Sequence, residues 1–187
     1  FEQSYILLML QTHAYDTICH EHIEYYSLKQ IKWILDAVGL KIIDIETNDT
    51  NGGSFRVTAA KQSHPHKEAV KAISDYLENE KKAQLDSMKG YQEFKDAIFK
   101  HREELTALVK RLCAEGKKIF AYGASTKGNV ILQYCGFTPT EIPYVAEVNE
   151  YKFGRFTPGT HLPIISEKEA KALKPDYLLV LPWHFKK

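Results

Sequence analysis

Lys118-Ile119-Phe120-Ala121-Tyr122-Gly123-Ala124-Ser125-Thr126-Lys127-Gly128-Asn129 decides the fold of this chain. An apolar run over Ile119–Tyr122 enters a glycine-containing loop, and residues 126–134 then read as a helix. Strand, glycine loop, helix is the opening of a parallel α/β unit. Ile142 to Val148 supplies a second strand and Tyr177 to Leu181 a third, with a helix at about 167–173 between them. These strands are apolar without alternation, as expected where both faces of a sheet are covered. The expectation is an α/β protein whose C-terminal part is a Rossmann-like, three-layer α/β/α unit on three mostly parallel strands.

Upstream, two charged helices are expected at about 67–89 and 92–115, separated near Gly90 and stopped by Gly116. The second is amphipathic through Phe94, Ile98, Leu105, Leu108, Val109 and Leu112. Ser63-His64-Pro65-His66 breaks the pattern before this helical hairpin. The first sixty residues predict a helix at 4–11 and a polar, aromatic segment from Tyr15 to Tyr26. A helix follows at 27–38, with Ser27 as N-cap and Gly39 as stop. Leu40–Thr47 and Ser54–Ala60 alternate as strands, and the turn Asn48–Gly53 between them makes the pair antiparallel. The expected division is therefore 1–62 and 63–187.

At 187 residues the chain suits one domain, or one with a smaller appendage. Its 44% hydrophobic and 26% charged residues are the mix of a globular protein with a real core. Twenty-five Lys and Arg against 24 Asp and Glu give a net +1, so no broad positive field points to nucleic acid or an anionic membrane. No apolar run approaches the ~20 residues of a membrane span. Cys19, Cys113 and Cys135 form neither a disulfide framework nor a zinc knuckle, which favours a reducing, cytoplasmic setting. The sequence opens Phe1-Glu2-Gln3 with no features of a signal peptide, and is expected to start within something larger.

Three clusters can carry chemistry. His20-Glu21-His22 closes a segment, Tyr15–His22, with six polar or ionisable residues in eight. A histidine beside a carboxylate suits general acid–base work, and a hydrogen-bonded packing loop is the equal alternative. A metal is the weaker reading, because no third ligand stands at a recognisable spacing. The second cluster is Gly123–Asn129, where a strand meets a helix and backbone N–H groups favour phosphate. Ser125 breaks the G-x-G-x-x-G fingerprint, and Lys127 precedes the second glycine instead of following it, so neither familiar phosphate loop is present. Ser125, Thr126, Lys127 and Asn129 are the candidate ligand contacts, against a plain tight turn. The third cluster, Glu147, Asn149 and Lys152, sits at the carboxyl end of the second strand, where parallel sheets open their ligand crevice. Strand-end capping is its alternative. Asn51-Gly52-Gly53-Ser54 reads first as a hairpin turn, and as the alternative its paired glycines would let a substrate approach the backbone.

Taken in order, D-T-I-C-H-E-H (16–22), E-Y-Y-S-L (24–28), N-G-G-S-F (51–55), Y-G-A-S-T-K-G-N (122–129), E-V-N-x-x-K-F-G-R-x-T-P-G-T (147–160) and Y-L-L-V-L-P-W-H (177–184) resemble one family. It is the S-adenosylmethionine-dependent C-methyltransferases of nucleotide-linked 4-keto-deoxysugars, and the resemblance covers the C-terminal half of such an enzyme. It implies that residues 1–62 are the end of the cofactor domain and 63–187 a helical hairpin with a nucleotide-sugar-binding unit. It implies S-adenosylmethionine as cofactor of the whole enzyme and zinc in its N-terminal domain, both bound by parts absent from this chain. The chain alone is thus expected to bind no S-adenosylmethionine and to be inactive. The implied reaction is deprotonation next to the ketone, then methyl transfer to carbon. His22 is the implied base, supported by Glu21. Ser125, Thr126, Lys127, Asn129, Glu147, Asn149 and Lys152 would contact the sugar nucleotide, a dTDP-sugar for preference. The family commonly carries Tyr where this chain has Cys19, a shorter and poorer donor, and Tyr25 or Tyr26 is the nearest replacement. A non-catalytic nucleotide-sugar-binding module and a protein-interaction domain using the 67–115 hairpin are the rival functions.

Overall fold

A computed structural model describes residues 1–185 and divides the chain into two compact units. The first comprises Phe1–Tyr15 and His22–Ala97, the second Asp16–Glu21 and Ile98–Lys187.

The first unit is built on strands β1 (Glu2–Ser4), β2 (Leu40–Asn48) and β3 (Ser54–Lys61), antiparallel in the order β1-β3-β2. Helices α1 (Ile6–Gln11), α2 (Leu28–Ala37), α3 (Val70–Lys82) and the start of α4 (Met88–Ala114) accompany them. One face of the sheet carries Ile42, Ile45, Phe55 and Val57. These bury against Leu28, Ile31 and Leu35 of α2 and Ile73 of α3. The 3.6-residue spacing within α2 meets the two-residue spacing of the strands in one core. The amino end of α2 is held from a distance. Glu80, 4% exposed, accepts the backbone N–H groups of Leu28 and Lys29 and the Tyr5 hydroxyl, the last at 2.8 Å. Burial first, and the Glu80 carboxylate next, push the Tyr5 phenol far above its usual range.

Two elements differ from expectation. The residues before Ile6 are not helical, because Glu2–Ser4 pair with Ser54–Arg56 as an edge strand. The helical hairpin breaks at Ala83–Ser87, and Gly90 lies inside α4. A Cβ on Gly90 would stand 2.5 Å from the Ala83 carbonyl oxygen. The glycine therefore lets the connecting turn close onto the helix and does not end it.

The second unit holds four parallel strands: β4 (Ile119–Tyr122), β5 (Val145–Glu147), β6 (Ile164–Ser166) and β7 (Tyr177–Val180), in the order β6-β5-β4-β7. Helices α5 (Thr126–Cys135) and α6 (Glu167–Ala172) and the later part of α4 flank them, giving the expected Rossmann-like α/β arrangement. Three strands are foreseen by the sequence. β6 is the fourth, three residues long and too short for a periodic signal. Phe120, Ala121, Leu132, Val145, Ala146, Leu162 and Leu181 are at most 2% exposed and form the centre. The chain leaves β4 towards β5 and β6, then returns to the other side of β4 as β7. The carboxyl ends of β4 and β7 thus flank a topological switch point, where open α/β sheets receive ligands.

Gly123 makes the turn out of β4 possible. Its φ is +89°, and a Cβ would stand 2.7 Å from Pro182 Cδ, in the loop after β7. Gly123→Ala is expected to destabilise the protein by about 1–3 kcal/mol through backbone strain and the Pro182 clash. A lower urea midpoint at unchanged m-value is the measurement, and an unmoved midpoint would refute it. Among the described residues no helix is long and apolar enough to cross a membrane.

Candidate functional site

Each sequence-selected residue at the β4–α5 turn has a distinct environment. Ser125 is the N-cap of α5, its Oγ accepting the Gly128 N–H at 3.0 Å. This hydroxyl satisfies one of the helix's orphan donors. Gly128 is buried, and a Cβ there would lie 2.9 Å from Leu181, so the helix start packs tightly on the chain after β7. Thr126, Asn129 and Gln133 are spaced one helical turn apart along α5 and share one side of it.

Opposite this stripe runs Asp16–Glu21, which belongs to the second unit. The Thr126 hydroxyl donates to Glu21 Oε1 at 2.9 Å. A groove of about 730 Å³ lies between, walled by Ile18, Cys19, His20 and Glu21 on one side and Thr126, Asn129 and Gln133 on the other. Tyr134 and Pro158 also line it. That is the volume range of small-molecule sites, ~300–1,000 Å³. Asn129 Oδ1 is buried with no hydrogen-bond partner among the described residues, an acceptor left unsatisfied beside the groove. Gln133 is steadied by donating its amide N–H to the Pro158 carbonyl at 2.9 Å.

Asp16 anchors the other end of the segment. It is 2% exposed, accepts the Trp183 indole N–H at 2.9 Å, and faces Lys127 Nζ at 3.9 Å. Burial pulls the Lys127 ammonium below its usual range, and the Asp16 charge opposes that pull. Burial, with the Lys127 charge adding to it, lowers His184 likewise, against Asp16.

Glu147 and Lys152 turn inward, onto the loops around the ends of β4 and β5, while Asn149 is exposed. Glu147 Oε2 accepts the Ala124 N–H at 2.8 Å, and its Oε1 accepts those of Val148 at 2.8 Å and Asn149 at 3.1 Å. Burial pushes this carboxyl up, but the three backbone donors and Lys152 outweigh it and hold it below the usual value. Lys152 Nζ donates to the Ala124 carbonyl at 2.7 Å and lies 3.4 Å from Glu147. Asn149 Oδ1 accepts the Tyr151 N–H at 3.1 Å as a local cap.

His22 follows Glu21 in sequence and falls in the first unit, half-buried, its ring stacked on Tyr25 with centroids 6.3 Å apart. Among the described residues no three His, Cys, Asp or Glu side chains gather as a metal set. Sequence reading missed Asp16, Trp183 and the far wall at Gln133 and Tyr134. The last two follow Thr126 and Asn129 along α5 and were reachable from helical spacing. Trp183 was reachable from its place just beyond a strand's carboxyl end. Asp16 carried no signal of its pairing, since its partner is 167 residues away.

Comparison with known proteins adds two kinds of relative. The family described as "C-methyltransferase C-terminal domain" matches residues 49–187. "C-methyltransferase NovU" of Streptomyces niveus is 34% identical over 184 residues, covering 98% of this chain and 44% of that protein. "UDP-N-acetylmuramate–L-alanine ligase" of Salinispora tropica is 35% identical over 78 residues, 40% of this chain and 15% of the ligase. The same ligase of Salinispora arenicola is 36% identical over 78 residues. The chain thus spans less than half the length of each of these curated relatives.

Proposed function

Because the chain belongs to the C-methyltransferase C-terminal domain family, we propose that it is the substrate-binding and base-supplying part of an S-adenosylmethionine-dependent enzyme that methylates carbon in a nucleotide-linked 4-keto-deoxysugar. The groove between Asp16–Glu21 and α5 is the observation that carries this reading. It joins a small-molecule volume to a polar α5 stripe, and one wall leads directly into His22. The Salinispora relatives are named for action on UDP-N-acetylmuramate, itself a nucleotide-linked sugar, which supports the substrate class.

The chemistry suits the residues. A hydrogen on the carbon next to a ketone is weakly acidic, so its removal needs a positioned base and donors for the growing oxyanion. His22 takes that proton on its imidazole. Thr126, donating to Glu21, steadies the base's immediate neighbour in the chain. Asn129 and Gln133 meet the sugar nucleotide through their amides. S-adenosylmethionine, held by other parts of the enzyme, supplies the methyl group. In the described residues the switch-point crevice, where a parallel sheet could receive an adenine nucleotide, holds Asp16 instead. Neither it nor the glycine loop is assigned to that donor. Zinc likewise has no candidate set among these residues.

Calorimetric titration of the chain with a dTDP-linked 4-keto-sugar tests the substrate half, with S-adenosylmethionine in parallel. The sugar nucleotide is expected to bind and the methyl donor not. Asn129→Leu is expected to weaken binding by roughly 3–10-fold, the loss of one neutral hydrogen bond. Undiminished affinity in that variant would move the ligand out of the groove.

A further inference from the structure

We propose that Lys127 acts as a positioning residue: with Asp16 and Trp183 it forms a clasp that fixes Asp16–Glu21 as the groove's wall, and it does not itself touch the ligand's phosphates. The inference rests on the reading above for the reaction it serves, but the clasp stands on geometry alone. Asp16 lies against the start of α5 and Trp183, three residues beyond β7, at the switch point where a ligand anion would be expected. The anion met by Lys127 is thus the chain's own carboxylate. Lys127 keeps 13% of its side chain exposed and Asp16 2%, so the pair has little room for a second anion. Only one Asp16 oxygen is engaged. Oδ2 takes the indole N–H, while Oδ1 is buried without a hydrogen-bond partner among the described residues. A buried carboxylate in that state needs the ammonium beside it, because uncompensated burial of charge is costly. At the other end of the segment Glu21 accepts from Thr126, the residue before Lys127. Two adjacent residues of one helix thus pin both ends of a six-residue segment. The residue that follows this segment is His22.

The two roles for Lys127 separate by experiment. Removing a phosphate contact raises KM and leaves kcat; loosening the clasp lowers kcat and leaves KM. In the enzyme containing this chain, Lys127→Met is expected to lower kcat by about 10²-fold, the cost of misplacing a reacting group by about 1 Å. KM for the sugar nucleotide should stay within about twofold. Asp16→Asn combined with Lys127→Met removes both charges and should restore at least about tenfold of the lost kcat, since contacting residues couple. Trp183 gives a second readout that needs no activity. In this chain carrying Trp33→Phe, its indole is the sole tryptophan, and its emission should shift in Lys127→Met and return towards the parent in the double variant. A raised KM with kcat intact, or no recovery in the double variant, would make Lys127 a ligand contact and overturn the proposal. So would an unchanged kcat, KM and emission. If the unaltered enzyme transfers no methyl group, the functional reading fails, and the Trp183 emission alone decides the clasp.

Discussion

Replacing His22 with alanine should stop the exchange of substrate hydrogen with deuterated water at the carbon next to the ketone, and with it methyl transfer. The loss expected for removing a general base is roughly 10²–10⁴-fold. Exchange is the sharper measurement because it needs no methyl donor: it reports proton removal alone. Sugar-nucleotide affinity should change by less than about threefold, since the proposed binding contacts lie on α5 and not on the imidazole. His22→Gln, which keeps size and polarity but cannot accept a proton at neutral pH, should behave as His22→Ala does. Full exchange in either variant would remove His22 as the base. His20, one wall of the groove, would then be the next candidate.

Elements whose spacing repeats were legible. Leu28–Ala37, Leu40–Asn48, Ser54–Lys61 and Thr126–Cys135 form where the 3.6- or two-residue pattern and their caps put them. What escaped was set by distant packing. Gly90 reads as a helix stop by propensity, yet the close approach of the Ala83 carbonyl gives it a place inside α4. β6 has three residues, and only its parallel pairing with Val145–Glu147 makes it a strand.

The candidate site divides along the same line. That Thr126 and Asn129 face one groove follows from helical spacing. That Asp16 meets Trp183 and Lys127 does not, because no local rule pairs residues so far apart in the chain. Polar residues at strand ends also looked alike in sequence. The structure separates those whose donors and acceptors are taken up by backbone, such as Glu147, from those with an acceptor left over, such as Asn129.

Glu147 accordingly should matter more for stability than its place at a strand end suggests. It is 7% exposed, and its carboxylate joins the loop after β4 to the end of β5 through three backbone donors. Glu147→Ala leaves three backbone donors without their acceptor and takes the carboxylate from beside Lys152, for an expected cost of about 2–4 kcal/mol. Glu147→Gln should cost less. Its carbonyl oxygen still accepts from Val148 and Asn149, but its amide nitrogen opposes the Ala124 N–H. The pH dependence has a definite sign. The folded-state carboxyl is held below its unfolded value of 4.5, so its contribution is present above that pH and disappears as pH falls through the folded-state value. The stability gap between wild type and Glu147→Gln should therefore be widest near neutrality and narrow in acid. Urea denaturation of the pair at matched pH values measures it, and the difference cancels other depressed carboxyls such as Glu141 and Glu169. A gap that stayed constant down through acid pH would mean that the ionised carboxylate is not what holds these loops. Shape would then be the property that matters at position 147, and Glu147→Gln should prove nearly neutral.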